Sequence, residues 1–349
     1  MLIIGGTFIF SVLVNGILLK FAQTLGIRQN IHRQIRWNPS VRPSLGGISF
    51  YLTFLLTFIF LFMINNVLKL DFSSIRLIGI LIVCSLAFMM GLADDAYNTQ
   101  PLLKLITQLV CGLVLIFTGT SIDIFENEFI NYGLTILWVV GFMNSINMLD
   151  NMDAITTIVS IAILTFVIVL NISLKTALSP LPILSIGILG ALTGFLVFNW
   201  HPAKMFMGDT GSQFLGVFLA ILGIKYCWNV ASFMDNNWYC INPVFIGFVA
   251  IIGVFILPIT DTVTVTINRI RRGSSPFVGG KDHTTHHLFF KGITEKRIAI
   301  LYALIGAFGA FVVLEIILNY QAIWIWLSII FSALTFVSLY LNTIIQKRK

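Results

Sequence analysis

The polar chemistry of this 349-residue chain is gathered into a few short motifs. Gly91-Leu92-Ala93-Asp94-Asp95 sets two carboxylates side by side. They repel unless a cation or a bound proton offsets them, so a metal ion, or a phosphate-bearing ligand with its metal, is the natural partner; a solvated turn is the plain alternative. Lys104 follows shortly after. Asn147-Met148-Leu149-Asp150-Asn151-Met152-Asp153 spaces an amide and two carboxylates three residues apart. If the helix carrying Asn147 continues, the three share an arc of about 120° and line one wall. Asn199-Trp200-His201-Pro202-Ala203-Lys204-Met205-Phe206-Met207-Gly208-Asp209-Thr210-Gly211-Ser212 holds one carboxylate, Asp209, where a helix begins. A helix start presents unpaired N–H groups and partial positive charge, which favours phosphate oxygens; Asp209 as a simple N-cap would satisfy the same pattern. The stretch from Thr266 to Lys296 carries Arg269, Arg271, Arg272, Lys281, His283, His286 and His287. Arginine forks suit phosphate oxygens, and Gly279-Gly280 lets backbone approach a ligand. Zinc at the histidines is conceivable, but no cysteine is near and the carboxylates suit a hard, oxygen-binding ion better.

These motifs lie at the ends of long apolar runs. With 58% hydrophobic and 10% charged residues and a mean hydropathy of +0.96, the composition excludes a soluble globular domain. The runs are near the ~20 residues that cross ~30 Å of hydrocarbon as helix, whereas barrel strands would be about half as long and alternating. The expected class is all-α: a polytopic membrane protein, one membrane-embedded domain over 1–349. Eleven spans are expected, with ten as the alternative count, near 2–22, 47–66, 75–93, 102–118, 133–149, 154–173, 180–198, 210–228, 243–264, 296–318 and 322–343. The run from Leu2 to Ala22 has no basic residues ahead of it and no small-residue cleavage site behind it, and so reads as a retained helix.

Of the 21 Lys and Arg, all but Lys69, Arg76, Lys175 and Lys225 fall on one side of this alternation. That bias makes the side cytoplasmic, with the N-terminus outside and the C-terminus inside. The loops near 23–46, 94–101, 150–153, 199–209 and 265–295 then share the cytoplasmic face, with Asp94, Asp95, Asp150, Asp153, Asp209, Asp261 and all five histidines. Such a surface, within reach of lipid headgroups, suits a polar substrate at the membrane's inner face. In the loop after the first span, Arg28, His32, Arg33, Arg36 and Arg42 read mainly as a topogenic basic cluster. Glu315, deep in the tenth span, has no role on sequence grounds. The cysteines form no metal pattern, and Cys227 and Cys240, flanking one loop, could pair in an oxidising compartment.

Five motifs in their order resemble the polyprenyl-phosphate N-acetylhexosamine-1-phosphate transferases. They are Pro43-Ser44-Leu45-Gly46-Gly47; Gly91 to Asp95 with Lys104; Asn147 to Asp153; Phe198 to Ser212; and Arg269 to Phe277 with His286-His287-Leu288. The resemblance implies that a membrane polyprenyl (undecaprenyl) phosphate takes sugar 1-phosphate from a UDP-N-acetylhexosamine and releases UMP, with Mg²⁺, or Mn²⁺ as a substitute. It implies Asp94, Asp95 and Asp209 as catalytic, with Asp209 and Asn147 as metal ligands. Lys104, Asn147, Asp150, Asp153, Asn199, Arg271, Arg272, His286 and His287 would contact substrate. Where the family often has Asp-Gly-x-Asp-Gly, this chain has Asp150-Asn151-Met152-Asp153-Ala154, and its histidines run H-T-T-H-H rather than H-x-H-H.

The resemblance favours UDP-GlcNAc over a deoxysugar or MurNAc-pentapeptide donor, an initiating step of a cell-envelope glycan such as lipopolysaccharide O-antigen, and the inner (plasma) membrane. No nucleic-acid partner is expected, and homodimers occur in the family. A phosphate ester with a second pKa of ~6 is mostly dianionic at neutral pH, so a general base adds little and Asp94 is expected to position groups or bind metal. A secondary transporter of an anionic substrate is the reading from another class, and a catalytically dead lipid-phosphate binder a third. Transporters place polar residues near the midplane on broken helices and often show repeats, whereas these motifs end helices on one face.

Overall fold

The computed structural model describes residues 2–22, 42–68, 74–233, 242–275, 279–319 and 321–344. Within them the chain is helical: α1 (Leu2–Ala22), α2 (Gly46–Leu68), α3 (Ser74–Tyr97), α4 (Pro101–Phe117), α5 (Glu128–Leu149), α6 (Ile155–Ser173), α7 (Pro180–Asn199), α8 (Gly208–Gly223), α9 (Pro243–Val254), α10 (Ile256–Arg271), α11 (Thr284–Phe290), α12 (Glu295–Asn319) and α13 (Ala322–Ile344). Among the described residues, 9 helices are long and apolar enough to cross a membrane, and the bent pair α9–α10 makes up to 10. The 17-residue α4 is a shorter apolar helix. The apolar runs read as spans fall on these helices, the ninth on the α9–α10 pair, and the protein is a multi-pass helical membrane protein.

Local chemistry sets the helix ends. Pro101, Pro180 and Pro243 open α4, α7 and α9, where a missing N–H costs nothing. Asn127 caps α5 by accepting from the N–H groups of Phe129 and Ile130. The central element is α8, whose residues from Thr210 to Gly223 are all buried, as expected of a helix apolar on every face. It packs against α2, α3 and α5. α5 comes especially close, since a Cβ on Gly216 would lie 2.7 Å from the Met143 Cα. The outermost spans, α1 and α13, are the least covered by protein.

Three sequence expectations are corrected. The ninth span is not one straight helix: α9 and α10 meet at 83°. Pro258 has no N–H to offer the Val254 carbonyl and its ring crowds that oxygen, so the helix breaks at Phe255. The helix carrying Asn147 also stops at Leu149, and the chain turns through Asp150 to Ala154, which adopts φ +66. Asn147, Asp150 and Asp153 therefore do not form one helical wall. The stretch 265–295 is likewise not all loop, because α10 runs to Arg271 and α11 lies within it. Glu315 accepts from the Asn319 amide one turn on. Cys227 is buried and forms no disulfide among the described residues; its candidate partner Cys240, with Arg28, His32, Arg33 and Arg36, lies outside them.

Candidate active site

The site is built around the first turn of α8. The Pro43–Gly47 segment runs parallel to the Phe206–Met207 strand-like stretch: Phe206 N donates to Pro43 O (2.9 Å), Gly46 N to Phe206 O (3.0 Å) and Gly47 N to Met207 O (3.0 Å). Two glycines allow the backbones to meet. A Cβ on Gly47 would lie 2.2 Å from Gly211 N, and one on Gly91 2.2 Å from Asp209 O. One turn beyond Gly91, Asp95 reaches the exposed N–H groups of α8, its carboxylate accepting from Asp209 N (3.1 Å), Thr210 N (2.9 Å) and the Thr210 hydroxyl (2.6 Å). The cap of α8 is thus supplied by α3. The N-cap position itself is Met207, and Asp209, inside the first turn, is free of the capping role that its sequence position allowed.

Asp209 instead faces a cation and an amide. Lys104 Nζ stands 3.1 Å from Asp209 Oδ2 and 3.1 Å from Asp94 Oδ2. Asn147 Nδ2 donates to Asp209 Oδ1 (2.6 Å) and to Ser212 Oγ (2.8 Å). Asp94 also accepts from the Thr99 N–H (2.9 Å) and hydroxyl. Burial pushes the Asp150 carboxyl up to about 8, and the charges of Asp209, Asp95 and Asp153 push the same way. Lys104 alone does not offset this density of carboxylates. An oxygen-rich, under-compensated pocket fits a hard divalent cation, with Asp209 and Asn147 as the residues to hold it once the Asn147 amide presents its oxygen.

A second node ties loops together. Asp153 accepts from Arg42 (3.3 Å), Ala203 N (2.9 Å) and His201 Nδ1 (2.9 Å), and Glu295 approaches the same His201 Nδ1 at 3.0 Å. Asp153, His201 and Glu295 have metal-ligand spacing, but Arg42 and the Ala203 N–H already occupy Asp153. Neighbouring Asn199 is 3% exposed. Its Oδ1 accepts from Ala154 N (3.1 Å) and the Thr157 hydroxyl (2.7 Å), while its Nδ2 donates to Met205 O (3.1 Å).

The histidine segment is anchored by Asp261, which is 1% exposed. Asp261 accepts from His283 Nδ1 (2.8 Å), Thr284 N (2.9 Å) and the Thr284 hydroxyl. One turn of α11 then returns to the α5–α6 turn, where the Thr285 hydroxyl donates to Asn151 Oδ1 (2.6 Å) and His286 Nε2 lies 3.4 Å from Asn151 O. Burial, with the nearby His283 charge, pulls His286 down to about 4, and burial also lowers His287, so both rings are neutral at pH 7. Burial alone would raise Asp282, but Arg269 overrides it through a two-point pairing (3.0 and 2.7 Å), and the carboxyl lies below its usual range. Arg272 joins Asp282 at 3.1 Å.

Asp94, Asp95, Lys104, Asn147, Asp150 and Asp209 therefore converge, and His286 is joined to them through Asn151. His287 and Arg272 lie in the adjoining segment. Asn199 and Asp153 are engaged in holding loops, and Arg271 is drawn away to the hydroxyl and ring face of Tyr340. His201 and Glu295 were not singled out from sequence. His201 carried a signal, lying inside the Asn199–Ser212 motif; Glu295 looked like any first-turn acid.

Apolar helices of spanning length, with carboxylates and a lysine meeting at a helix N-terminus, define the class: a multi-pass membrane protein with a polar site at its helix ends. Comparison with known proteins agrees. The family model described as glycosyl transferase family 4 matches residues 77–227. A phospho-N-acetylmuramoyl-pentapeptide-transferase of Streptococcus agalactiae is 32% identical over 266 residues, covering 69% of this chain and 74% of the relative. A probable undecaprenyl-phosphate N-acetylglucosaminyl 1-phosphate transferase of Bacillus subtilis is 28% identical over 347 residues, 95% of this chain and 89% of that protein. A decaprenyl-phosphate N-acetylglucosaminephosphotransferase of Mycobacterium leprae is 26% identical over 291 residues, 77% of this chain and 72% of the relative. The chain belongs to glycosyl transferase family 4.

Proposed function

We propose that this protein transfers N-acetylglucosamine 1-phosphate from its UDP-sugar to a polyprenyl phosphate, undecaprenyl phosphate in the first instance, and releases UMP. A lipid-phosphate oxygen forms the new P–O bond to the sugar-bearing phosphorus, and the bond to UMP breaks. The observation that carries the reading is Lys104 held between Asp94 and Asp209 at the start of α8. Two anionic substrates need cationic groups there. Mg²⁺, or Mn²⁺ in its place, would be held by Asp209 and Asn147 and would supply charge neutralisation of the phosphates. Asp94, bonded to Lys104 and Thr99, orients the lysine; it does not need to remove a proton from a dianionic phosphate.

GlcNAc is preferred because the Bacillus subtilis relative aligned over nearly the whole chain is named for it. The name of the Streptococcus agalactiae relative supports a MurNAc-pentapeptide donor as the second reading. For the lipid chain, an apolar groove of 260 Å³ between α5 and α10 is lined by Trp138, Phe142 and Val263. The reading sets the site on the cytoplasmic face of the plasma membrane, at the first step of a cell-envelope glycan.

Purified protein incubated with undecaprenyl phosphate, Mg²⁺ and a panel of UDP-N-acetylhexosamines is expected to release UMP from UDP-GlcNAc, with loss in EDTA and in Asp209→Asn. Asp94→Asn is expected to be as slow at pH 9 as at pH 7; recovery at high pH would make Asp94 a base. UMP release from no sugar, with Asp209→Asn like wild type in folding and ligand binding, would return the protein to the transporter or binding class.

A further inference from the structure

One turn deeper in the bundle than the acid cluster lies a second polar layer. Gln108 is four residues on from Lys104 along α4, Gln213 four on from Asp209 along α8, and Asn144 three before Asn147 on α5, which runs the other way. Each amide thus lies about 5 Å below one member of the cluster on the same helix. Gln108 and Asn144 bond reciprocally, Gln108 Nε2 to Asn144 Oδ1 (3.2 Å) and Asn144 Nδ2 to Gln108 Oε1 (2.7 Å). Gln108 Nε2 also reaches Gln213 Oε1 at 3.1 Å. Gln108 and Gln213 are sealed, 1% and 0% exposed, and Gln213 Nε2 has no acceptor among the described residues.

Stability does not explain this layer. Amides between membrane spans are costly compared with apolar side chains, and a sealed N–H without an acceptor costs about 1–3 kcal/mol. We propose that Gln108, Asn144 and Gln213 are positioning residues. Their amide bonds set the register of α4, α5 and α8, so that Lys104, Asn147 and Asp209 meet one turn above. Hydrogen bonds suit this task because they are directional, whereas leucines in their place would tolerate small slides and rotations of the three helices. A lysine and an amide both within about 3 Å of one carboxylate do not tolerate them. The proposal rests on the transferase reading for its turnover arm and on the metal site proposed at Asp209 and Asn147 for its Mn²⁺ arm.

The test exchanges the reciprocal pair. Gln108→Asn and Asn144→Gln each change the reach of one amide, and the double exchange restores the combined length. Each single variant is expected to lower kcat about tenfold with KM for UDP-GlcNAc little changed, and to weaken Mn²⁺ binding by substrate-free protein, followed by paramagnetic resonance, by a similar factor. The double exchange is expected to recover most of both losses. Gln213→Leu is expected to keep or raise the unfolding temperature while losing turnover and Mn²⁺ affinity. Wild-type turnover and Mn²⁺ binding in all variants would overturn the proposal, as would losses that follow the unfolding temperature and are not recovered in the double exchange. If wild-type protein releases no UMP, the transferase reading fails by itself, and the Mn²⁺ arm still decides whether the layer positions Asp209 and Asn147.

Discussion

Replacing Asp95 separates two carboxylates that the sequence presents as a matched pair. Asp94 bonds a lysine and Thr99, while Asp95 gives both oxygens to the start of α8 through three hydrogen bonds. Asp95 is exposed, so the value of a surface helix cap applies, about 1–2 kcal/mol for removal to alanine. With an unfolding entropy of about 2.1 cal/mol/K per residue over 349 residues, each kcal/mol shifts the midpoint by about 1.4 °C, so Asp95→Ala should unfold about 1–3 °C below wild type. Turnover should fall as well, because the first turn of α8 carries Asp209. Asp95→Asn retains one acceptor oxygen and should recover part of the unfolding temperature. The measurement is thermal unfolding in detergent beside UMP release, with Asp94→Asn in parallel as a variant that lowers turnover and leaves α8 capped. An Asp95→Ala protein with wild-type unfolding temperature and no turnover would refute the reasoning, since the carboxylate would then act on substrate and not on the helix.

In ligand-free protein without divalent cation, Asp150 stays protonated up to about pH 8, whereas the unfolded chain ionises it near the usual value of about 4. The native state binds the extra proton in that window, so stability should fall as pH rises from about 4 to 8, by up to about 1 kcal/mol per unit, and then level. Unfolding curves at pH 6 and 8 should show the fall in wild type and a shallower one in Asp150→Asn; equal slopes would remove Asp150 as its source. Asn199→Ala should lower stability by about 2–4 kcal/mol, because it strands the Ala154 N–H, the Thr157 hydroxyl and the Met205 carbonyl. Lost turnover at an unchanged unfolding temperature would instead put Asn199 in contact with substrate.

The legibility of the fold follows from its solvent. An apolar run long enough to cross hydrocarbon has to satisfy its backbone internally, and a helix does so with local bonds alone; hence the long helices lie where the hydropathy put spans, whereas the short α11 lies in a stretch read as loop. The motifs were legible because charged residues are rare in this composition, so Asp94, Lys104, Asp150 and Asp209 stood out against apolar neighbours. The span read at 243–264 passed over Pro258, whose missing N–H breaks the helix, and the 83° angle depends on what α9 and α10 pack against.

Sequence by itself determined the helical membrane class, the motif set and the convergence of polar chemistry at helix ends. Only the tertiary structure decided how that chemistry is divided: Asp95 to the helix cap, Asp94 and Asp209 to Lys104, Asp153 and Asn199 to the loops, and Arg271 to Tyr340. A side chain's type states what it can bond, whereas its partner can come from a helix over 100 residues away in the chain. Asp95 with Thr210, Lys104 with Asp209 and Gln108 with Gln213 are such pairs, and nothing local to either partner records the other.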